Sequence, residues 1–265
     1  MNDYKFNMKY TFFYVVGGDD IYYEQLYRSI RSLSRLSTKN FKIKILDIDN
    51  KFNLETDFEI ETISINKKLD SKELFWQYKY FICQQLDTEY GIYLDCDTVV
   101  CYDRLQDIEN LVNKSFGVIP HFYIKDFDNF SKLFNNKNFS ESSSDKFFTG
   151  GVFFFYNSID NIKILQQIYN LHNQHDLNQS KGFYDETFLS YVLSDRHRVV
   201  LNGSFNHCSA NYMPLGIKNF DLVGKNEFDN ELEKIFVLHG SSKRQIEAED
   251  FVGETKEKVK NFWKI

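Results

Sequence analysis

The chain is predicted to fold as an α/β protein, because short apolar runs alternate with amphipathic stretches, and because a carboxylate pair closes one of the most apolar runs. The first run, YTFFYVV at Tyr10–Val16, stops at Gly17-Gly18-Asp19-Asp20, the pattern of a strand entering a turn. Tyr22, Leu26, Ile30 and Leu33 then recur at helical spacing, so a helix should lay an apolar stripe on the sheet. Phe41, Ile43 and Ile45 alternate with lysines as a second strand, and residues 60–65 alternate again as a third. This order implies βαβ crossovers and a largely parallel sheet.

A helix over residues 74–86 leads into Gly91-Ile92-Tyr93-Leu94, which ends at Asp95-Cys96-Asp97. Residues 135–145, NNKNFSESSSD, are too polar to pack and are expected to form a mobile loop beside the site. Thr149-Gly150-Gly151 introduces the apolar strand Val152–Tyr156, and paired glycines there let backbone approach a ligand. A helix over residues 159–172 follows. A second helix carries Asp185-Glu186-Thr187-Phe188-Leu189, and a late strand at residues 235–238 runs into His239-Gly240.

With 265 residues and 42% hydrophobic content, the chain can bury a sizeable core, and one compact body is expected. A formal charge of -6 and a pI near 5.6 argue against broad attraction to nucleic acid, although a local basic groove for such an acceptor remains compatible. No run approaches the roughly 20 apolar residues of a membrane-spanning helix, and the first ten residues lack a signal core, so a cytoplasmic location is expected. Cys83, Cys96, Cys101 and Cys208 form no zinc-type pairs and read as reduced thiols.

Two carboxylates one residue apart at a strand end offer hard oxygens to Mg²⁺ or Mn²⁺, which accept phosphates as further ligands. Ligands in open α/β sheets gather at such strand ends. The bland alternative is a solvated turn. LDCDTVV also fits the opening motif of haloacid dehalogenase-type phosphatases, in which the first Asp is a nucleophile and the second an acid/base. That motif usually lies on the first strand, whereas several elements precede Asp95. His172 and His175 read as a helix end rather than a metal pair. The C-terminal ETKEKVKNFWKI either rests on an anionic membrane surface or, as preferred here, packs as a terminal helix through Val259, Phe262 and Trp263.

Over most of its length the chain resembles glycosyltransferase family 8, the retaining enzymes of the glycogenin and lipopolysaccharide galactosyltransferase group. GGDDIYYEQLYRSIRSL resembles the family's D-D-x-Y segment, and YLDCDTVV matches Y-L-D-x-D-x-x-V. FFTGGVFFF resembles F-N-x-G-V, YDETFLSYVL resembles D-Q-D-x-L-N, and LNGSFNHCSANY resembles the R-F-N stretch. The resemblance implies a GT-A-type nucleotide-sugar-binding fold, Rossmann-like, with a mixed sheet flanked by helices. Residues 1–101 would form the nucleotide-sugar-binding half, and residues 102–265 the acceptor-binding and catalytic half.

It further implies a UDP-sugar donor, a Mn²⁺ or Mg²⁺ cofactor, and a glycan, protein or other hydroxyl acceptor. Gly17 and Asp19 would sit beside uridine. Lys79, sixteen residues before Asp95, would lie near the donor with Gly150 and Gly151; its bland alternative is a cation–π contact amid Trp76, Tyr78 and Tyr80. Asp95 and Asp97 would hold the metal. The family's H-x-x-G-x-x-K-P-W motif is shortened here to His239-Gly240-Ser241-Ser242-Lys243, assigning His239 to the metal and Lys243 to phosphate. Asp185 would hold sugar hydroxyls. Glu186 stands where family 8 usually has Gln; family 6 carries a similar D-E-S segment whose Glu is the proposed nucleophile. A solvated helical acid and a structural histidine are the plain alternatives for Glu186 and His239.

Overall fold

The computed structural model describes residues 8–65, 74–120, 147–174, 184–194, 196–208, 215–218, 221–225, 231–240 and 253–263. The polar stretch at 135–145, His175 and Lys243 lie outside these residues. In chain order the strands begin with β1 (Tyr10–Val16), β2 (Phe41–Asp47), β3 (Ile60–Ser64), β4 (Tyr90–Leu94) and β5 (Thr98–Val100). They continue with β6 (Phe116–Val118), β7 (Val152–Tyr156), β8 (Val199–Val200) and β9 (His207–Cys208). The last four are β10 (Leu215–Lys218), β11 (Asp221–Lys225), β12 (Leu232–Lys234) and β13 (Val237–His239). The helices are α1 (Asp20–Ser32), α2 (Leu74–Cys83), α3 (Leu105–Val112), α4 (Ile159–Gln174), α5 (Tyr184–Ser194) and α6 (Gly253–Trp263).

Seven strands make the central sheet in the order β3-β2-β1-β4-β7-β6-β8. The first four run parallel, as strand–helix alternation implies, but β7 enters antiparallel to both β4 and β6, so the sheet is mixed. VFFFY is apolar on both faces, and such a run does not encode its direction.

Side-chain alternation divides the core into two layers. Phe12, Tyr14, Ile92 and Phe154 face α1 and α3 through Leu26, Ile30, Ile108 and Val112. Phe13, Tyr93, Phe153 and Phe155 face the other way, onto α2, α4 and α5 through Tyr80, Ile82, Leu165, Phe188 and Leu189. Tyr93 therefore points toward the helix that carries Lys79.

Several elements differ from the sequence reading. In α1 the buried aromatic is Tyr23 at 4% exposure, whereas Tyr22 is 41% exposed. A hydrogen bond from the Tyr23 hydroxyl to the buried Asp47 (2.7 Å) draws that ring inward. The helix begun at Leu74 ends at Cys83, and the late strand, expected at residues 235–238, starts two residues later as β13 and includes His239. His172 lies near the end of α4 but is buried, stacked on Tyr80 and edge-on to Phe188. Val259 of α6 packs with Val99, Leu222, Ile235 and Leu238, in keeping with a docked terminal helix. Cys83, Cys96 and Cys101 are free thiols. Among the described residues, no helix is long and apolar enough to cross a membrane.

Candidate active site

Strand register brings three chain segments to one edge of the sheet. Phe13 of β1 lies opposite Tyr93 of the parallel β4, so the turn at Gly17 and the pair at Asp95 leave the sheet side by side. Leu94 lies opposite Val152 of the antiparallel β7, which places Gly150 and Gly151 beside Asp95. The Asp95 N–H donates to Gly151 O at 2.8 Å, and Cys96 Sγ donates to Val15 O at 3.1 Å. Past Asp95 the chain turns sharply, because the Thr98 N–H and hydroxyl both donate to Asp95 O, at 3.2 and 2.7 Å.

That turn starts β5, which pairs with the distant β13 so that Thr98 faces His239. The imidazole consequently enters the carboxylate pair. His239 Nε2 lies 3.3 Å from Asp97 Oδ1 and 3.7 Å from Asp95 Oδ2, and one ligand atom from each of the three residues falls within 4.8 Å of the others. Asp95 Oδ1 is already engaged, by the Tyr93 hydroxyl at 2.8 Å and Lys79 Nζ at 3.4 Å, which turns Oδ2 toward His239. Lys79 is 4% exposed, donates to Gly150 O at 3.0 Å and stands 5.0 Å from the Tyr93 ring centroid. The cation–π contact is therefore made with Tyr93, a ring outside the set of Trp76, Tyr78 and Tyr80 that the sequence offered.

The donor set fits a hard divalent cation. Neighbouring ligands of an octahedral ion at about 2.1 Å lie about 3.0 Å apart, close to the separation of His239 Nε2 from Asp97 Oδ1. Space for the imidazole exists because residue 151 lacks a side chain: a Cβ there would meet His239 Cε1 at 2.0 Å and Asp95 Oδ2 at 2.8 Å.

Burial alone would raise the Asp97 carboxyl, but His239, whenever the imidazole is protonated, together with Lys79 beyond, holds it below the ordinary carboxylate value. Burial, and then the Asp95 charge, push the Tyr93 hydroxyl well above the usual phenol range, so it remains a donor to Asp95.

Glu186 lies on α5, 8% exposed, and its Oε1 accepts the Gly150 N–H at 3.1 Å. The Gly150 peptide is therefore gripped from both sides, its N–H by Glu186 and its C=O by Lys79. The solvated-acid reading of Glu186 is excluded by this burial. Asp185 precedes it on α5, and its side chain lies outside the described residues. Gly17 and Asp19 lie at the β1–α1 turn, next to Gly18, whose φ of +90° suits glycine. Gly18 donates its N–H to Asp49 at 2.6 Å and accepts from Lys51 Nζ at 3.1 Å.

Sequence reasoning did not single out Tyr93 or Asn206. Tyr93 sits two residues before Asp95, on the same side by strand alternation, but a buried aromatic in an apolar run reads as packing rather than as a hydroxyl donor to the carboxylate. Asn206 reaches His239 Nδ1 only because β9 and β13 pair.

No family model matches the sequence, and no curated protein matches it. Solved structures do. The galactosyltransferase LgtC, in complex with donor and acceptor sugar analogs, superposes with a TM-score of 0.64 at 14% identity, over 96% of this chain and 95% of that one. The fold is that of GT-A glycosyltransferases. An active-site glutamine-to-glutamate mutant of LgtC matches at a TM-score of 0.60 and 16% identity, over 95% and 94% of the two chains. The glycosyltransferase GlyE of Streptococcus pneumoniae TIGR4 matches at 0.59 and 19%, over 98% of this chain, which spans 61% of GlyE.

Proposed function

We propose that the chain is a metal-dependent glycosyltransferase of family 8 type, moving a hexose or pentose from a UDP-sugar to an acceptor hydroxyl with retained anomeric configuration. One observation carries this reading: Asp95, Asp97 and His239 converge within 4.8 Å of one another, beside a buried lysine, at the strand-end edge of a sheet shared with glycosyltransferases. In this reading Asp95 Oδ2, Asp97 Oδ1 and His239 Nε2 hold Mn²⁺ or Mg²⁺. The ion, when bound, would offset negative charge on the departing diphosphate.

The protein's own groups do the rest. Gly17 and Asp19 receive the nucleobase, and the bare backbone of Gly150 and Gly151 lets the donor approach the sheet edge. Lys79 neutralises Asp95 and fixes the Gly150 carbonyl. Lys243 adds positive charge toward the diphosphate. Asp185 holds sugar hydroxyls, and Glu186, oriented by the Gly150 N–H, presents its carboxylate to the anomeric carbon as nucleophile or as stabiliser of positive charge, the family 6-like feature. Residues 1–101 supply donor binding and residues 102–265 the acceptor and catalytic parts. A cytoplasmic location and a glycan or protein acceptor complete the proposal.

Incubation with UDP-hexoses and Mn²⁺ tests it through slow release of UDP, and Asp97→Ala should abolish metal-dependent donor binding. Phosphate release from phosphomonoesters would instead favour the dehalogenase-type phosphatase, and binding without turnover a silent scaffold. If UDP-sugar affinity survived Asp97→Ala, the metal assignment would be wrong.

A further inference from the structure

A histidine can ligate through Nε2 only when its proton, if it carries a single one, resides on Nδ1. The surroundings of His239 make that arrangement unfavourable by default. Its Nε2 faces Asp97 Oδ1 at 3.3 Å and Asp95 Oδ2 at 3.7 Å, two anions that would draw a proton onto Nε2 and convert the ligand into a donor. Something on the opposite side of the ring must hold the proton on Nδ1.

The group found there is Asn206. Its Oδ1 lies 3.2 Å from His239 Nδ1, and its Nδ2 donates to Thr149 Oγ1 at 3.4 Å. Thr149 Oγ1 also accepts the Gly151 N–H at 3.4 Å, so the amide's donor end is taken up at β7 and its oxygen faces the imidazole. Asn206 is 0% exposed, so water does not substitute for either bond. Its backbone is fixed as well. It follows the 3-10 turn Gly203–Phe205, which Asn202 caps by accepting the Ser204 N–H at 2.8 Å, and its own N–H donates to Gly203 O at 3.2 Å. The next two residues form β9, parallel to β13, with Cys208 opposite His239.

We infer that Asn206 is a positioning residue that fixes His239 in the Nδ1–H tautomer, leaving the Nε2 lone pair free for a divalent cation. This rests on the metal-binding reading of Asp95, Asp97 and His239. An outer hydrogen-bond acceptor of this kind orients the ring and raises its basicity as a ligand, and removing one typically lowers metal affinity by about 10–100-fold. The chain Gly151–Thr149–Asn206–His239 also ties the ligand to the glycine whose missing side chain makes room for it.

The test compares the unsubstituted protein, His239→Ala, Asn206→Leu and Asn206→Asp without any sugar nucleotide. Mn²⁺ affinity is read by electron paramagnetic resonance titration, and the His239 tautomer by ¹⁵N chemical shifts of the metal-free protein. Expected are a protonated Nδ1 in the unsubstituted protein, a Mn²⁺ affinity lower by about 10–100-fold in Asn206→Leu, and affinity retained in Asn206→Asp, which keeps an acceptor toward Nδ1. A purely structural asparagine would leave the tautomer unchanged and would not be rescued by aspartate.

The inference is overturned if unsubstituted His239 carries its proton on Nε2. It is equally overturned if Asn206→Leu binds Mn²⁺ as tightly as the parent while His239→Ala does not. Equal Mn²⁺ affinity in the parent and in His239→Ala would sink the metal reading itself, a different result. Should Asn206→Leu not fold, the parent tautomer and the Asn206→Asp affinity decide the matter.

Discussion

Adding a single methyl group at residue 151 should separate ion binding from folding. In Gly151→Ala the new carbon would stand 2.0 Å from His239 Cε1 and 2.9 Å from His239 Nδ1. Ordinary carbon contacts begin near 3.5 Å, so the ring must withdraw by about 1.5 Å or swing aside. That displacement is most of a metal–nitrogen bond of about 2.1 Å, so His239 ceases to be a ligand and two carboxylates remain. The affinity loss should exceed the roughly 100-fold that marks loss of an outer hydrogen bond alone. Because the clash falls on a part-exposed side chain rather than on backbone, the destabilisation should be about 1 kcal/mol, or about 3 °C in Tm. Calorimetric titration with Mn²⁺, beside a thermal melt, reads both quantities. A Gly151→Ala protein that bound Mn²⁺ as tightly as its parent would refute the geometry on which the site is built.

Three further outcomes are expected. His207 is 2% exposed, and burial lowers its pKa to about 4, so on acidification the unfolded chain takes up this proton near pH 6.5 while the native state resists until about pH 4. Stability should therefore be fully retained above pH 6.5 and fall by about 3 kcal/mol between there and pH 4, a slope that urea titrations should find missing in His207→Leu. Glu186→Gln keeps an acceptor for the Gly150 N–H but removes the charge; kcat should drop on the order of 10²-fold with Mn²⁺ affinity and Tm unchanged, and undiminished kcat would show that only the acceptor matters. Arg104 joins Glu233 at 3.0 Å, Ser204 Oγ at 2.6 Å and the Phe205 ring at 4.0 Å, so Arg104→Ala should lower stability by about 1–2 kcal/mol in denaturant melts, through lost packing on Phe205 and lost hydrogen bonds, since Glu233 keeps the Asn202 and Ser204 donors.

What could be read from the sequence follows the range of the forces involved. β1, β4 and β7 were legible because each is a short apolar run bounded by turn residues, and Asp95, Asp97 and the paired glycines were legible because they terminate or introduce such runs. Helical spacing located α1 but chose Tyr22 over Tyr23, since two adjacent tyrosines fit the stripe equally and the hydroxyl of Asp47's partner decides between them. The direction of β7 and the pairing of β5 with β13 and β9 were not legible, because they depend on contacts between segments far apart in the chain. Asn206 is the plainest case: it falls in the segment that resembles R-F-N, but nothing in that segment points to His239, and its place beside the imidazole exists only after that small sheet has formed.

If Asp95, Asp97 and His239 hold a cation as proposed, the small sheet β5-β13-β9 would make that cation a reporter on a strand distant in the chain. Asp95 and Asp97 leave the central sheet early in the chain, whereas His239 arrives on a strand whose docking completes the triad. By linkage, whatever binds only the assembled triad must also tighten that docking, by about 2.7 kcal/mol at a hundredfold excess over Kd. Hydrogen exchange at Val237 and Leu238 should accordingly slow as Mn²⁺ is added, which would reveal occupancy without any sugar being turned over.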